Sequence, residues 1–268
     1  MKRVLAIEDL SGLGKCSLTV ALPILSVMGC SCTVLPTAVL SSHTGFQGPY
    51  IHSMTDHILP IAQARQSAGA GFEGISVGYL SDPHQAACVG QVLERFPAKV
   101  VLDPVLGDHG TLYRGMTQAH VEAMRELCRK ADVILPNVTE AAILTGLPCR
   151  ENPEEDYIRE LLSGLQTLTG GDVVITGAAF RKNSTGFVGI SREMGNFQYE
   201  AEKIPRQLHG TGDMFAAVTL GELVKGRNLL DASTAAAQFV EKVVELTPAE
   251  TPFGANFEQA LPMLLNTQ

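Results

Sequence analysis

The stretch Leu208-His209-Gly210-Thr211-Gly212-Asp213-Met214-Phe215-Ala216-Ala217 sets two glycines, a threonine and an aspartate at the start of an expected helix. Apolar residues follow at helical spacing: Phe215, Val218, Leu220, Leu223 and Val224. Gly210-Thr211-Gly212 is therefore read as a loop that tightens into a helix start near Met214. Free main-chain N–H groups at such a start, with the positive end of the helix dipole, suit an anion. Glycine lets the backbone approach a phosphate with no side chain in the way. A carboxylate in the same place repels phosphate. Its presence makes chemical sense if Asp213 takes the proton of an alcohol that attacks that phosphate. The plain alternative is an ordinary helix start, where Asp213 gains about 0.3–1 kcal/mol from the dipole.

Other polar residues close apolar runs: Asp9 after Val4-Leu5-Ala6-Ile7, Asp103 after Val100-Val101-Leu102, Asn137 after Val133-Ile134-Leu135, and Thr176 after Val173-Val174-Ile175. If these runs are parallel strands, the four residues share one sheet edge, where open α/β sheets bind ligands. Asn137 and Glu140 stand three apart at a helix start and face the same way. An amide and a carboxylate so placed can hold Mg²⁺ through water while phosphates fill its other positions. Each residue also has an ordinary use. Asn137 to Glu140 reads equally as a capped helix start, and Asp103 before Pro104 as a turn former. His43 or His109 alone reads as a packed or surface histidine. Gly14-Lys15 is not a phosphate-binding P-loop, because Asp9 stands where that motif needs its first glycine and Cys16 where it needs Ser or Thr.

The elements that must position these residues alternate. Strands are expected at Arg3–Ile7, 31–40, 74–80, 99–104, 132–137 and 172–177. Helices are expected at about 16–28, 53–68, 83–96, 117–130, 139–144, 154–168, 214–224, 231–245 and 257–265. Residues 184–190 and 195–204 alternate and carry glycine, the pattern of an antiparallel hairpin. Near-continuous apolar strands between helices imply α/β architecture: a mainly parallel central sheet with helices on both faces. No linker or fixed repeat divides residues 1–268, so one domain is expected, with a small β flap near residues 31–50.

Composition narrows the function classes. The chain has 268 residues, 45% hydrophobic and 18% charged, enough to bury a large core. A formal net charge of −8 argues against nonspecific nucleic-acid binding. An anionic substrate must then be held by local N–H groups, cations or metal. No apolar run suggests a membrane span, and Met1-Lys2-Arg3 leads at once into a short strand rather than a signal peptide. The six cysteines lack paired metal spacing and read as buried thiols of a cytoplasmic protein.

Taken together, Gly210-Thr211-Gly212-Asp213, Asn137-x-x-Glu140, Asp103-Pro-Val-Leu-Gly and Ser42-His43-Thr44-Gly45 resemble the ribokinase-like superfamily. The Ser-His-Thr-Gly segment, Gly78-Tyr79-Leu80 and Asp103 to Asp108 resemble its pyridoxal/pyridoxine/pyridoxamine (vitamin B6) kinase branch, in order along nearly the whole chain. The resemblance implies ATP-dependent phosphorylation of the 5′-hydroxymethyl of a B6 vitamer, with Asp213 as catalytic base and Gly210, Thr211 and Gly212 around the γ-phosphoryl. It implies Mg²⁺ and a monovalent cation such as K⁺ near Asp103 and Glu140, with Asn137, Thr176 and Asp103 toward the nucleotide. It implies a pyridine pocket lined by His43, Thr44 and Tyr79, Tyr113 on a loop that folds over the ligands, and a homodimer. Two residues depart from the family pattern. Asp9 replaces a common ring-contacting serine, so either Asp9 or Ser11 would touch the ring, and Leu135 replaces a threonine before Pro136-Asn137. The Asp9 change also admits a hydroxymethylpyrimidine, whose exocyclic amine is a donor. A vitamer- or nucleotide-binding sensor without turnover is the reading from outside the enzymes.

Overall fold

The computed structural model describes residues 1–150, 153–206, 208–251 and 253–265. In chain order the strands are β1 (Arg3–Ser11), β2 (Ser31–Leu40), β3 (Ile51–Ser53), β4 (Gly74–Val77), β5 (Lys99–Leu102), β6 (Gly107–Asp108), β7 (Thr111–Leu112), β8 (Val133–Ile134), β9 (Asp172–Thr176), β10 (Ser184–Ser191) and β11 (Gly195–Glu202). The helices are α1 (Leu18–Val27), α2 (Thr55–Ser67), α3 (Pro83–Arg95), α4 (Gln118–Cys128), α5 (Val138–Thr145), α6 (Glu155–Thr169), α7 (Thr211–Val224) and α8 (Leu229–Leu246). No helix among the described residues is long and apolar enough to cross a membrane.

The main sheet has the order β11-β10-β9-β8-β5-β4-β1-β2-β3. From β9 to β2 every neighbouring pair is parallel. Antiparallel strands finish both edges, β3 on one side and the β10–β11 hairpin on the other. The inner strands are buried on both faces, which is why they read as unbroken apolar runs. One core face packs Leu5, Ile7, Ile75 and Leu102 against α2, α3, α4, α5 and α6. The other packs Val4, Ala6, Val101 and Val133 against α1, α7 and α8. The chain first moves from β1 to β2, then returns to the other side of β1 to build β4, β5, β8 and β9. The strand order therefore reverses between β1 and β4, and their carboxyl ends open the crevice where such sheets take ligands.

Some boundaries differ from the sequence reading for local reasons. β1 runs past Ile7 to Ser11, because a bulge between Glu8 and Leu10 keeps it paired with β2. Residues 31–40 form β2 within the main sheet, and the polar segment 41–50 projects from its end to reach β3. The loop at Gly107–Gly110 is a tight hairpin, with His109 at φ 50° and Gly110 at φ 77°. The final segment is two 3₁₀ turns, Phe257–Gln259 and Leu261–Leu264, rather than one α-helix; Pro262 cannot donate within a continuous helix.

The β10–β11 ribbon depends on Gly186. A Cβ there would lie 1.9 Å from the Tyr199 carbonyl oxygen, a backbone atom that cannot swing away. Gly186→Ala is expected to lower the unfolding free energy by about 1–3 kcal/mol, the usual cost of overpacking. Urea unfolding checks it, and an unchanged midpoint contradicts it.

Candidate active site

The helix start at residues 210–213 is built by a steric requirement. Gly210 is the N-cap of α7 with φ 88°, and a Cβ at this position would sit 2.1 Å from the Lys15 carbonyl oxygen. Only glycine fits so close to the loop that leads into α1. α7 begins at Thr211, three residues earlier than its apolar pattern implied, which places Asp213 in the first turn. Gly212 faces Asp103 across the crevice; a Cβ on it would lie 3.3 Å from Asp103 Oδ2. The glycine loop, Asp213 and Asp103 thus share one space.

Asp213 is half-buried, and loss of water pushes its carboxyl up to about 7. The Ser17 main-chain N–H moderates that shift, and the charge of Asp9 adds to it. Asp103, at the end of β5, is held well above the usual carboxylate range by burial and by the charges of Glu140, Asp213 and Glu8. Glu140 is buried and pushed up to about 7, chiefly by desolvation. Asn137 and Glu140 do form a reciprocal capping box: Glu140 N–H donates to Asn137 Oδ1 at 2.9 Å, and Asn137 N–H to Glu140 Oε2 at 2.9 Å. The other oxygen of Glu140 accepts from the Leu106 N–H at 3.0 Å, and the Asn137 amide donates to the Gly107 carbonyl at 2.9 Å. The cap therefore also ties α5 to the β6–β7 hairpin. Thr176 lies beside Asn137 through a single parallel bridge and donates its N–H to the Pro136 carbonyl at 2.9 Å.

On the other side of the crevice, Asp9 is buried with one hydroxyl on each oxygen: Ser17 Oγ on Oδ1 at 2.5 Å and Ser11 Oγ on Oδ2 at 2.7 Å. Tyr79 is half-buried after β4, and its phenol is pushed up by burial and by the charge of Asp9. His43 is buried between Phe46 and His209, at ring-centroid distances of 4.6 and 4.5 Å. Its Nδ1 accepts the Gly45 N–H at 3.1 Å, and burial pushes its pKa down. Thr44 is exposed beside it. The projecting segment therefore leans on the anion loop through His43 and His209. Tyr113 follows β7, and its phenol feels the charges of Glu140, Asp103 and Asp213.

Sequence reasoning missed Glu8 and Ser17. Glu8 is buried, accepts the Ser76 hydroxyl at 2.7 Å, and is pushed up to about 8 by desolvation and by Asp213. The signal was present, since a charged residue inside a buried strand calls for a reason. Ser17 gave no such signal, because a serine before a helix reads as a simple cap.

The acids also suit a cation. Asp103 and Glu140 offer hard oxygen donors, and burial together with mutual repulsion makes both gain from a positive charge. Among the described residues no three-ligand cage of His, Cys, Asp or Glu exists. The set fits Mg²⁺ held through waters and phosphate oxygens, rather than an all-protein site.

The fold and this crevice define a ribokinase-like phosphotransferase. The chain belongs to the phosphomethylpyrimidine kinase family, whose model matches residues 22–258. A Bacteroides thetaiotaomicron structure assigned to the phosphomethylpyrimidine kinases and crystallised with pyridoxal is 34% identical, with a TM-score of 0.93, covering 98% of this chain and 95% of that one. Pyridoxal kinase from Lactobacillus plantarum is 33% identical with a TM-score of 0.92, covering 99% and 97%. The pyridoxine/pyridoxal/pyridoxamine kinase of Bordetella pertussis is 28% identical over 91% of this chain and 89% of its own. This is a kinase of a small hydroxymethyl-bearing substrate, a B6 vitamer or a pyrimidine.

Gly210→Ala tests the expected anion-holding role of this loop: kcat should fall by about 10²–10³-fold, the usual loss when a charge-stabilising main-chain donor is displaced. Steady-state kinetics checks it, and a kcat within threefold of the parent contradicts it.

Proposed function

We propose that the protein transfers the γ-phosphoryl of ATP to the 5′-hydroxymethyl of a B6 vitamer. The observation that carries this reading is Asp213, a desolvated carboxylate poised at about 7 in the first turn of α7, directly after the glycine loop. The vitamer oxygen attacks the γ-phosphorus in line. As that bond forms, its proton passes to Asp213 and the bond from γ-phosphorus to the β–γ bridging oxygen breaks, releasing ADP. The N–H groups at Gly210, Thr211 and Gly212 receive the charge on the transferring group. Asp103 and Glu140 would hold Mg²⁺ through water, and that ion supplies neutralisation of the phosphate oxygens. Asn137 and Thr176 line the nucleotide side, and K⁺ near Asp103 and Glu140 is part of the same reading. A homodimer, as among B6 kinases, is the assembly we adopt.

Tyr79, His43 and Thr44 would line the ring. Asp9, with a serine hydroxyl on each oxygen, borders the same pocket. Two solved relatives favour a vitamer, one crystallised with pyridoxal and one a pyridoxal kinase. The family description supports the pyrimidine as the second reading.

Removing the base as Asp213→Asn is expected to lower kcat by about 10²–10⁴-fold, the range for a placed general base. In the parent enzyme, kcat should fall as pH drops below about 7, because Asp213 must be ionised to accept the proton. Turnover within tenfold of the parent, or a pH profile flat from 5.5 to 8, removes Asp213 from this role. A competition assay among pyridoxal, pyridoxine, pyridoxamine, hydroxymethylpyrimidine and ribose should give the highest kcat/KM to a B6 vitamer. A clear preference for hydroxymethylpyrimidine replaces the first reading with the second, and binding with no ADP release supports a sensor.

A further inference from the structure

Gln85 is a fully buried glutamine in the first turn of α3. An apolar side chain would fill that space without the cost of burying an amide, so the amide calls for a use. From the third position of a helix a glutamine ordinarily reaches back to the N-cap N–H. Gln85 reaches one residue further, and its Oε1 accepts the Ser81 N–H at 2.9 Å. Its Nε2 donates to the Thr37 carbonyl at 2.6 Å and lies 3.2 and 3.1 Å from the hydroxyls of Ser53 and Thr55. Thr37 is also fully buried, in β2, and its own hydroxyl donates to the Tyr79 carbonyl at 2.7 Å. The Thr37 carbonyl takes a second donor, the Met54 N–H, at 2.9 Å. Two side chains with no exposure therefore join the loop after β4, strand β2 and the junction of β3 with α2.

These pieces carry the residues read above as the walls of the ring pocket. Tyr79 lies between Gly78, whose N–H donates to the Ile7 carbonyl of β1 at 3.0 Å, and Ser81, which Gln85 holds. The segment 41–50, with His43 and Thr44, leaves β2 at Leu40 and returns into β3 at Ile51. Its base is therefore tied to Thr37 on one side and to Ser53 and Met54 on the other. We propose that Thr37 and Gln85 are positioning residues for the phosphoryl acceptor: together they fix the gap between the Tyr79 loop and the base of segment 41–50, and with it the fit of the acceptor ring. The proposal rests on Tyr79, His43 and Thr44 lining that ring. Among the described residues, neither side chain bonds a crevice carboxyl or the glycine loop. A looser pocket then weakens acceptor binding equally in the ground state and the transition state, which raises the acceptor KM and leaves kcat alone.

The test is steady-state kinetics with MgATP and either pyridoxal or hydroxymethylpyrimidine, whichever the parent turns over faster, with thermal unfolding followed alongside. Thr37→Val keeps the volume and the branching that suit a strand, but it leaves the Tyr79 carbonyl without its donor. Its acceptor KM should rise about tenfold, the size of effect expected when one hydrogen bond is lost and its partner stays unpaired, with kcat and the KM for ATP close to the parent's. Thr37→Ser retains the hydroxyl and should recover most of the acceptor KM. Gln85→Met, similar in length, should raise the acceptor KM with the same split. A parental acceptor KM in Thr37→Val overturns the proposal. So does an equal rise in Thr37→Val and Thr37→Ser, which would assign the effect to packing. A loss spread over kcat and both KM values, together with a lower Tm, is the signature of a merely structural role and also overturns it. Should Thr37→Val fail to fold, Gln85→Met carries the test: a raised acceptor KM beside a parental KM for ATP supports the proposal, and a parental acceptor KM overturns it. Tyr79→Ala with a parental acceptor KM would instead sink the reading of Tyr79 as a pocket wall. That failure is distinct, because it is read on Tyr79 itself with Thr37 and Gln85 intact.

Discussion

Everything at this crevice follows from keeping several carboxyl groups close together and out of water. Glu8, Asp103, Glu140 and Asp213 are all shifted toward protonation, and desolvation is the first cause for each. Burying unpaired charge is costly, and proteins usually answer with a lysine or arginine. Here the answer is mostly neutral donors. Three main-chain N–H groups serve Glu140, and serine hydroxyls serve Glu8 and Asp9. Such bonds orient the acids without cancelling their charge. The field that remains suits a metal cation and a proton in transit, the two positive species that phosphoryl transfer to an alcohol requires.

The fold supplies the geometry. Strand order reverses between β1 and β4, so the loops after these strands diverge and leave a cleft beside the ends of β5 and β8. The N-terminus of α7 closes the cleft from the other face, and the Gly210–Lys15 approach sets how near it comes. The His43–His209 contact joins the segment after β2 to the same loop. The segment after β2 and the loop before α7 are therefore mechanically linked.

Much of this could be read from residue order alone. The apolar runs ending in Asp9, Asp103, Asn137 and Thr176 gave the parallel sheet and the shared edge, because buried strands need unbroken apolar sequence and their polar ends can lie only at the surface. The start of α7 was legible through Gly210 and Asp213. The capping reading of Asn137 and Glu140 is what the structure shows, and that cap fixes where the carboxylate lies. What stayed hidden was tertiary. Glu8 meets Ser76 and Asp213, far from it in sequence, and Ser17 takes a backbone angle that no residue type announces. The end of the chain also misled, because apolar spacing from Phe257 to Leu265 suits either a helix or two 3₁₀ turns.

The central claim is that this crevice joins a phosphoryl group to a hydroxymethyl oxygen. Phosphorus NMR of the protein with MgATP and pyridoxal or hydroxymethylpyrimidine tests it most directly. The account predicts a new phosphomonoester signal, split by two methylene protons, growing as the γ-phosphate signal declines. Inorganic phosphate as the sole new signal, or an unchanged ATP spectrum with both acceptors, would contradict it.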